Sequence, residues 1–324
     1  MKAIALVSGG LDSTLAIKVA KEQGIEVTPV YFRTSFCQRE SFSQLEKNIG
    51  QPVKVIDISK EFLELLIDPP HGFGSSMNPC IDCKILMLRK AKELMSVLGA
   101  SFVITGEVLG QRPMSQNRQA LNNIEKKSGL TGLLLRPLSA KLMPETLAEK
   151  EGRVDRSKLL NFSGRGRSPH IALAKKFGIT EFAAPAGGCL LTESLYAKRI
   201  KDLIAHHQLD LENIELTKLG RHFRLSPQAK LIVGRDEKES ILLEKLASKE
   251  DIVLTPNDVL AGPTALFRGR PDVGLIELAG KITVSYCDLN GKKEAELFVK
   301  NGSAEKKLRN FSCLERKEFA ALRI

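Results

Sequence analysis

Ala3-Ile4-Ala5-Leu6-Val7-Ser8-Gly9-Gly10-Leu11-Asp12-Ser13 decides the fold. An apolar run of strand length meets a two-glycine turn, and a helical pattern follows from Asp12 to Gln23, ended by Gly24. Strand–turn–helix junctions of this kind hold anions. Gly9 and Gly10 let the backbone approach a ligand closely and adopt positive φ, and the helix N-terminus adds a partial positive charge. Ser8 and Ser13 add hydroxyl donors. Asp12 is an acid in an anion site, which is useful when a cation such as Mg²⁺ accompanies phosphates.

Outward from this junction the alternation continues. Val27–Phe32, Val53–Ile58, Phe102–Thr105 and Leu133–Leu135 read as strands, with a helix over Cys80–Leu98 stopped by Gly99. Strands separated by helix-length segments predict an α/β fold with a Rossmann-like parallel sheet and ligands beyond the carboxyl ends of the strands. The 324 residues suit two domains. After a helix over Glu193–His207 the pattern changes to short strands at Lys230–Val233, Ile252–Leu254, Ala265–Arg268, Ile282–Tyr286 and Glu296–Lys300. One helix lies at Glu237–Leu246, and Asn290-Gly291 is a hairpin signal. The division is expected at residues 1–195 and 196–324, the second part being a smaller α+β domain.

Hydrophobic residues at 43% and charged residues at 27% exclude disorder throughout. No apolar run reaches the roughly 18–20 residues of a membrane span, and the opening is too short for a signal peptide, so a cytoplasmic protein with no membrane partner is expected. Lys and Arg total 49 against 38 acidic residues, a net of +11, which favours a polyanionic partner. The densest stretch, Lys150–Lys176, sets eight basic residues against Glu151 and Asp155, and includes the loop Asn161–His170 with Arg165 and Arg167.

Six cysteines are too few for a disulfide scaffold. Cys80 and Cys83 form a C-x-x-C at a helix start, where thiolates are favoured, and Cys189 ends Ala186-Gly187-Gly188-Cys189. Three thiolates are one short of a structural zinc site. They suit a [4Fe–4S] cluster with one open iron to bind hydrosulfide; alternatively one cysteine carries a persulfide and another resolves it, or the pair is a plain redox motif. Cys37, Cys287 and Cys313 read as ordinary small apolar residues, and His71 sits in the loop over residues 68–79, either orienting a ligand or solvated.

Ser8-Gly9-Gly10-Leu11-Asp12-Ser13 resembles the PP-loop of the ATP pyrophosphatases, which adenylate a carbonyl oxygen. Thr105-Gly106-Glu107-Val108-Leu109-Gly110-Gln111, with Ser115-Gln116 and Leu135-Arg136-Pro137-Leu138, resembles the 4-thiouridine synthetases (ThiI-like) over roughly residues 1–195. The resemblance implies that Gly106, Glu107 and Gln111 line the nucleotide pocket, that Arg136 faces phosphate and that Cys189 takes part in sulfur transfer; Cys80 and Cys83 match the C-x-x-C of cluster-bearing thiolases. That family carries a THUMP domain before its PP-loop. Met1 stands two residues before the first strand, so neither THUMP nor a rhodanese domain is expected. Leu231–Glu239 and Gly262–Gly269 resemble the RNA-binding module NFACT-R, with Arg235, Arg268 and Arg270 as phosphate contacts in place of THUMP. The module lacks aromatic pairs at strand spacing and does not look like an RRM.

The combined expectation is an ATP-dependent tRNA sulfurtransferase. ATP and Mg²⁺ sit on Ser8–Ser13, Asp12, Cys80 and Cys189 are catalytic, and sulfur comes from hydrosulfide or a persulfide carrier. Two alternatives stand beside it: a small-molecule PP-loop ligase of the 7-cyano-7-deazaguanine type, using ammonia and a zinc site, and a non-catalytic RNA-binding protein.

Overall fold

The structure, a computed structural model, describes residues 1–37, 41–182, 188–302 and 306–324. These fall into two compact units, Met1–Thr192 and Glu193–Ile324, where the sequence put the division after residue 195.

The first unit runs β1 (Lys2–Leu6), α1 (Leu11–Lys21), β2 (Glu26–Arg33), α2 (Ser43–Ile49), β3 (Lys54–Asp57), α3 (Ser59–Ile67), α4 (Cys80–Leu98), β4 (Phe102–Thr105), α5 (Arg118–Ser128), β5 (Leu134–Leu135), α6 (Leu147–Lys150) and α7 (Ser168–Lys176). The five strands are parallel in the order β3-β2-β1-β4-β5. β1 is buried on both faces. Ala3 and Ala5 enter one hydrophobic cluster with Leu15, Val27 and Ile104, while Ile4 and Leu6 enter another with Val30, Leu88 and Val103. Alternation therefore gives each face to a different layer of helices, as a central parallel strand requires. The chain leaves β1 toward β2 and β3, then returns to lay β4 on the opposite side. Such an order reverses between β1 and β4, and a crevice opens there at the carboxyl ends of the strands. The loop expected over residues 161–170 ends earlier, because Ser168 and Pro169 already start α7.

The second unit runs α8 (Ser194–Ala205), α9 (Leu211–Thr217), β6 (Arg221–Ser226), β7 (Ala229–Val233), α10 (Glu237–Leu246), β8 (Ile252–Pro256), β9 (Ala265–Gly269), α11 (Val273–Val284), β10 (Glu294–Asn301) and β11 (Lys307–Ser312). Its sheet is antiparallel in the order β11-β10-β8-β9-β7-β6. One expected strand is corrected. Most of Ile282–Tyr286 closes α11, whose N-terminus is capped by Asp272 accepting from Leu275 N at 2.9 Å. The β-branched run Ile282-Thr283-Val284 suggested a strand, but packing decides otherwise: a Cβ at Gly280 would come within 2.3 Å of the Phe311 ring, so the helix lies tight against β11. Asn290-Gly291, at φ 49° and 85°, consequently joins a helix to β10 rather than two strands. Among the described residues no helix is long and apolar enough to cross a membrane.

Candidate functional site

Gly9 takes φ 78°, and Gly10 is the N-cap of α1 with no side chain capping the first turn. The first amide groups of α1 are thus left for another acceptor. Ser13 Oγ and Thr14 Oγ1 both donate back to the Gly10 carbonyl, at 3.0 and 3.3 Å. The hydroxyl proton of Ser13, expected to reach a ligand, is spent on the turn itself; Ser8 is exposed, its Oγ 3.4 Å from Gly10 N. The crevice wall opposite begins at Gly106, directly after β4. A Cβ there would lie 2.5 Å from Ser13 N and 2.6 Å from the Asp12 carbonyl carbon, so only glycine lets β4 end against the first turn of α1. Gly106 shapes the site through backbone contact.

Asp12 projects between Gln111 and α7. Its Oδ2 accepts from Gln111 Nε2 at 2.9 Å. Its buried Oδ1 makes no hydrogen bond and lies 3.8 Å from Nε2 of His170. His170, fully buried and packed at a tilt on the Phe162 ring with centroids 4.8 Å apart, is held below its ordinary range by burial, against the pull of Asp12. His170 is a site residue with no sequence signal, for nothing in its neighbourhood marks it out. A carboxylate with one tethered and one free oxygen beside an anion turn fits Mg²⁺, which takes one or two carboxylates and completes its shell with phosphate oxygens and water.

Glu107 and Arg136 are both buried and paired with each other. Arg136 is buried and every nitrogen is engaged: Nε on Glu107 Oε2 at 3.2 Å, Nη1 on Glu125 Oε2 at 2.7 Å and Nη2 on the Leu121 carbonyl at 3.2 Å. The residue expected to face phosphate thus ties β5 to α5 and to the end of β4. Burial would raise the Glu107 carboxyl, but Lys84, Arg136 and the Thr105 hydroxyl outweigh it and hold the group below the usual carboxylate range. Lys84, whose Nζ is 4.0 Å from Glu107 Oε1, is the partly exposed cation that remains near this wall.

A fourth cysteine, Cys37, joins the three that the sequence singled out. Cys80 Sγ accepts from Asn78 Nδ2 at 3.1 Å. Cys83, one turn into α4, is pushed up to about 12 by burial, with Lys84 opposing and Cys189 and Cys80 adding to the rise. Burial therefore overrides the helix start, which by itself would favour a thiolate. Cys189 meets Cys37: the Leu190 amide donates to the Phe36 carbonyl at 3.0 Å, and the neighbouring Cys37 side chain hydrogen-bonds Cys189 and, with burial, raises its thiol. Met77 N donates to the Leu191 carbonyl at 3.1 Å, seating the same segment beside the loop before α4. Cys37, read as an ordinary apolar residue, is thus the thiol paired with Cys189. Among the described residues no three His, Cys, Asp or Glu side chains are grouped to hold a metal, although Cys83 feels both Cys80 and Cys189. Ala186 and Gly187 of the cysteine motif lie outside the described residues. His71 is structural: Nδ1 bonds Asp82 Oδ1 at 2.6 Å and Nε2 accepts from Asn123 Nδ2 at 2.9 Å, pinning its loop to α4 and α5.

Of the basic candidates, Arg165 is exposed and Arg167 precedes α7 close to His170. Arg268 is corrected: it forks onto Asp251 at 2.9 and 2.6 Å with only 15% of its side chain exposed, binding β9 to the loop before β8. Arg235 is likewise paired with Glu239 at the start of α10, which leaves Arg270 exposed with no side-chain partner among the described residues.

Residues 1–145 match the family described as thiamine biosynthesis protein (ThiI), and residues 220–321 match the NFACT protein RNA binding domain. A probable tRNA sulfurtransferase of Thermococcus kodakarensis is 29% identical over 142 residues, 42% of this chain and 36% of that protein. Another, of Methanosarcina mazei, is 32% identical over 118 residues, 34% of this chain and 29% of that protein. The chain thus matches about a third of the length of these curated relatives. A solved 4-thiouridine synthetase–RNA complex with bound ATP aligns at a TM-score of 0.38 and 21% identity, covering 55% of this chain and 41% of that one.

Proposed function

We propose, from a ThiI-like segment over residues 1–145 followed by an NFACT-type RNA-binding segment over residues 220–321, that the chain is an ATP-dependent tRNA sulfurtransferase. The observation that carries the reading is the free Oδ1 of Asp12 beside uncapped α1, at the point where the sheet order reverses. The open amides of α1 and the Gly9–Gly10 turn bind the phosphates of ATP. Mg²⁺, when bound, neutralises phosphate charge and would be held by Asp12, with Gln111 fixing the carboxylate and neutral His170 walling it from solvent. The uridine carbonyl oxygen attacks the α-phosphorus, pyrophosphate leaves, and the carbonyl oxygen becomes part of an AMP leaving group.

Sulfur transfer follows from the Cys37–Cys189 pair, and no step is assigned to a cluster. A persulfide on Cys189 attacks the activated carbon through its terminal sulfur, and AMP departs. The RNA is then joined to Cys189 through a disulfide. The Cys37 thiolate attacks the Cys189 Sγ of that disulfide; the sulfur–sulfur bond breaks, the electron pair leaves with the thiolated base, and Cys37–Cys189 becomes a disulfide. An external thiol reductant restores both thiols, and a persulfide carrier reloads Cys189. This pairing also weighs against a small-molecule ligase, whose chemistry has no use for the RNA-binding segment or a thiol pair.

The test is pyrophosphate release with tRNA present. Asp12→Asn is expected to lower it at least a hundredfold while circular dichroism stays unchanged. Release at the parent rate defeats the reading. Cys37→Ser is expected to keep pyrophosphate release and to trap tRNA on the protein as a thiol-reducible adduct, whereas Cys189→Ser traps none.

A further inference from the structure

The second unit contains a cavity of about 320 Å³ lined by Arg221, Phe223, Tyr286, Arg316, Phe319 and Arg323. Its wall is aromatic. Phe223 and Phe319 are buried with ring centroids 5.7 Å apart in an edge-on pair, and half-buried Tyr286 packs on both at 6.2 and 6.0 Å. Its rim is cationic. The guanidinium carbons of Arg221 and Arg316 stand over the Tyr286 ring at 4.8 and 5.5 Å, and exposed Arg323 reaches the same cavity.

Among the described residues none of these three arginines has a carboxylate within salt-bridge distance. This sets them apart from Arg224, Arg235 and Arg268 of the same sheet region, each of which is paired. Arg221 spends one nitrogen on the Gly234 carbonyl at 2.8 Å; no hydrogen bond of the described residues engages the side chains of Arg316 and Arg323. Three like charges converging on one hollow repel each other and are relieved by an anion between them. Tyr286 holds two of the forks by cation–π contact without using their N–H donors. The cavity is also built rather than incidental: Phe223 and Arg323 form a backbone bridge, and Ile324 N donates to the His222 carbonyl at 3.0 Å, so residues at the far end of the sequence close it against β6.

A volume near 300 Å³ is at the small-ligand scale, and an aromatic wall with an arginine rim suits a base and its phosphate together. A nucleotide within a duplex presents its phosphate but hides its base in the stack, so the concave shape selects an unpaired one. We propose that this cavity takes one unpaired nucleotide of RNA, with its phosphate among Arg221, Arg316 and Arg323 and its base against half-buried Tyr286 and the guanidinium planes that flank it, Phe223 and Phe319 backing the ring from beneath. The proposal rests on the reading that the chain binds tRNA, and supplies the location that Arg235 and Arg268, already paired with carboxylates, do not.

The experiment uses the full chain and fluorescence anisotropy with three probes: tRNA, a labelled single-stranded uridine octamer and a matched RNA duplex, each titrated between 50 and 300 mM salt, roughly the range over which phosphate contacts are read. The double variant Arg316→Ala/Arg323→Ala removes two exposed side chains, and Arg309→Ala, an exposed arginine of β11 outside the cavity, is the control. The double variant is expected to lose affinity for tRNA and octamer at least about tenfold and to show a salt slope shallower by about 0.7 for each phosphate it no longer neutralises, with the control within about twofold. Parent and double variant binding tRNA alike would overturn the cavity while leaving the RNA reading intact. A parent that binds none of the three RNAs would overturn both. Displacement of the octamer by millimolar inorganic phosphate would overturn the RNA assignment in favour of a free-phosphate site.

Discussion

The two units place their candidate sites by opposite means. In the first, backbone does the work. Gly9, Gly10 and Gly106 shape a crevice where a parallel sheet reverses its order, and the open amides of one helix stand there beside the single carboxylate of Asp12. In the second, side chains do it. Arg221 comes from β6, Tyr286 from just beyond α11, and Arg316, Phe319 and Arg323 from the residues after β11. A site made of backbone at one junction tolerates almost no change in its few glycines but is indifferent to many side chains. A site assembled from separate segments loses affinity in steps, one side chain at a time.

The sharpest way to break this contrast is Arg136. If it were a ligand clamp, Arg136→Met would weaken ATP binding and spare the fold. Its buried, three-way tethered guanidinium predicts the reverse: Glu107 would be left buried with only the Thr105 hydroxyl and distant Lys84, and Glu125 would lose its partner, costing about 3 kcal/mol in urea unfolding of the full chain. Next in size is a pair of glycine substitutions. Gly106→Ala drives a Cβ into the α1 backbone and is expected to cost about 1–3 kcal/mol and to abolish saturable ATP binding by calorimetry. Gly10→Ala, at φ −86° with only Ser8 Oγ at 3.5 Å, is expected to leave stability within about 0.5 kcal/mol. Equal effects from the two would mean that the close approach of β4 to α1 is not what glycine provides.

The smallest effect is a pH dependence in the second unit. His222 is buried, its Nε2–H donates to the Leu219 carbonyl at 2.6 Å, and burial with Lys230 and Arg199 nearby holds it well below the usual histidine range. The unfolded chain binds a proton near pH 6.5 that the folded unit refuses. Stability is therefore fully present above that pH and falls as pH drops below it, by about 1 kcal/mol per unit. Denaturation at pH 7.5 and 5.5 should show the loss, and His222→Gln should flatten it; an unchanged slope in the variant would assign the dependence elsewhere.

What could be read in the sequence follows the same division. The strand–glycine–helix junction is local, so the turn Ser8–Ser13 and the helix over Cys80–Leu98 were legible from neighbouring residues, whereas Gly106 was singled out only through the family resemblance. Pairings across the fold were not. Nothing near Cys37 announces Cys189, and nothing near Arg136 shows that Glu107 and Glu125 claim it. The expected strand at Ile282–Tyr286 failed for a related reason: β-branched residues prefer strands in isolation, and the contact of Gly280 with Phe311 that favours the helix spans thirty-one positions. The aromatic wall has no sequence signature because Phe223, Tyr286 and Phe319 share no period, being neighbours only once three segments close on one another.

The return of Leu190 to the Phe36 carbonyl imposes an order on the protein's own making. A ribosome delivers Asp12, Gly106, Gln111 and His170 well before Cys189. A nascent chain long enough to fold the phosphate crevice therefore still has Cys37, beyond the end of β2, without Cys189 beside it. On the proposed chemistry the final stretch of the first unit, which carries Cys189 to Cys37, is what joins activation to transfer.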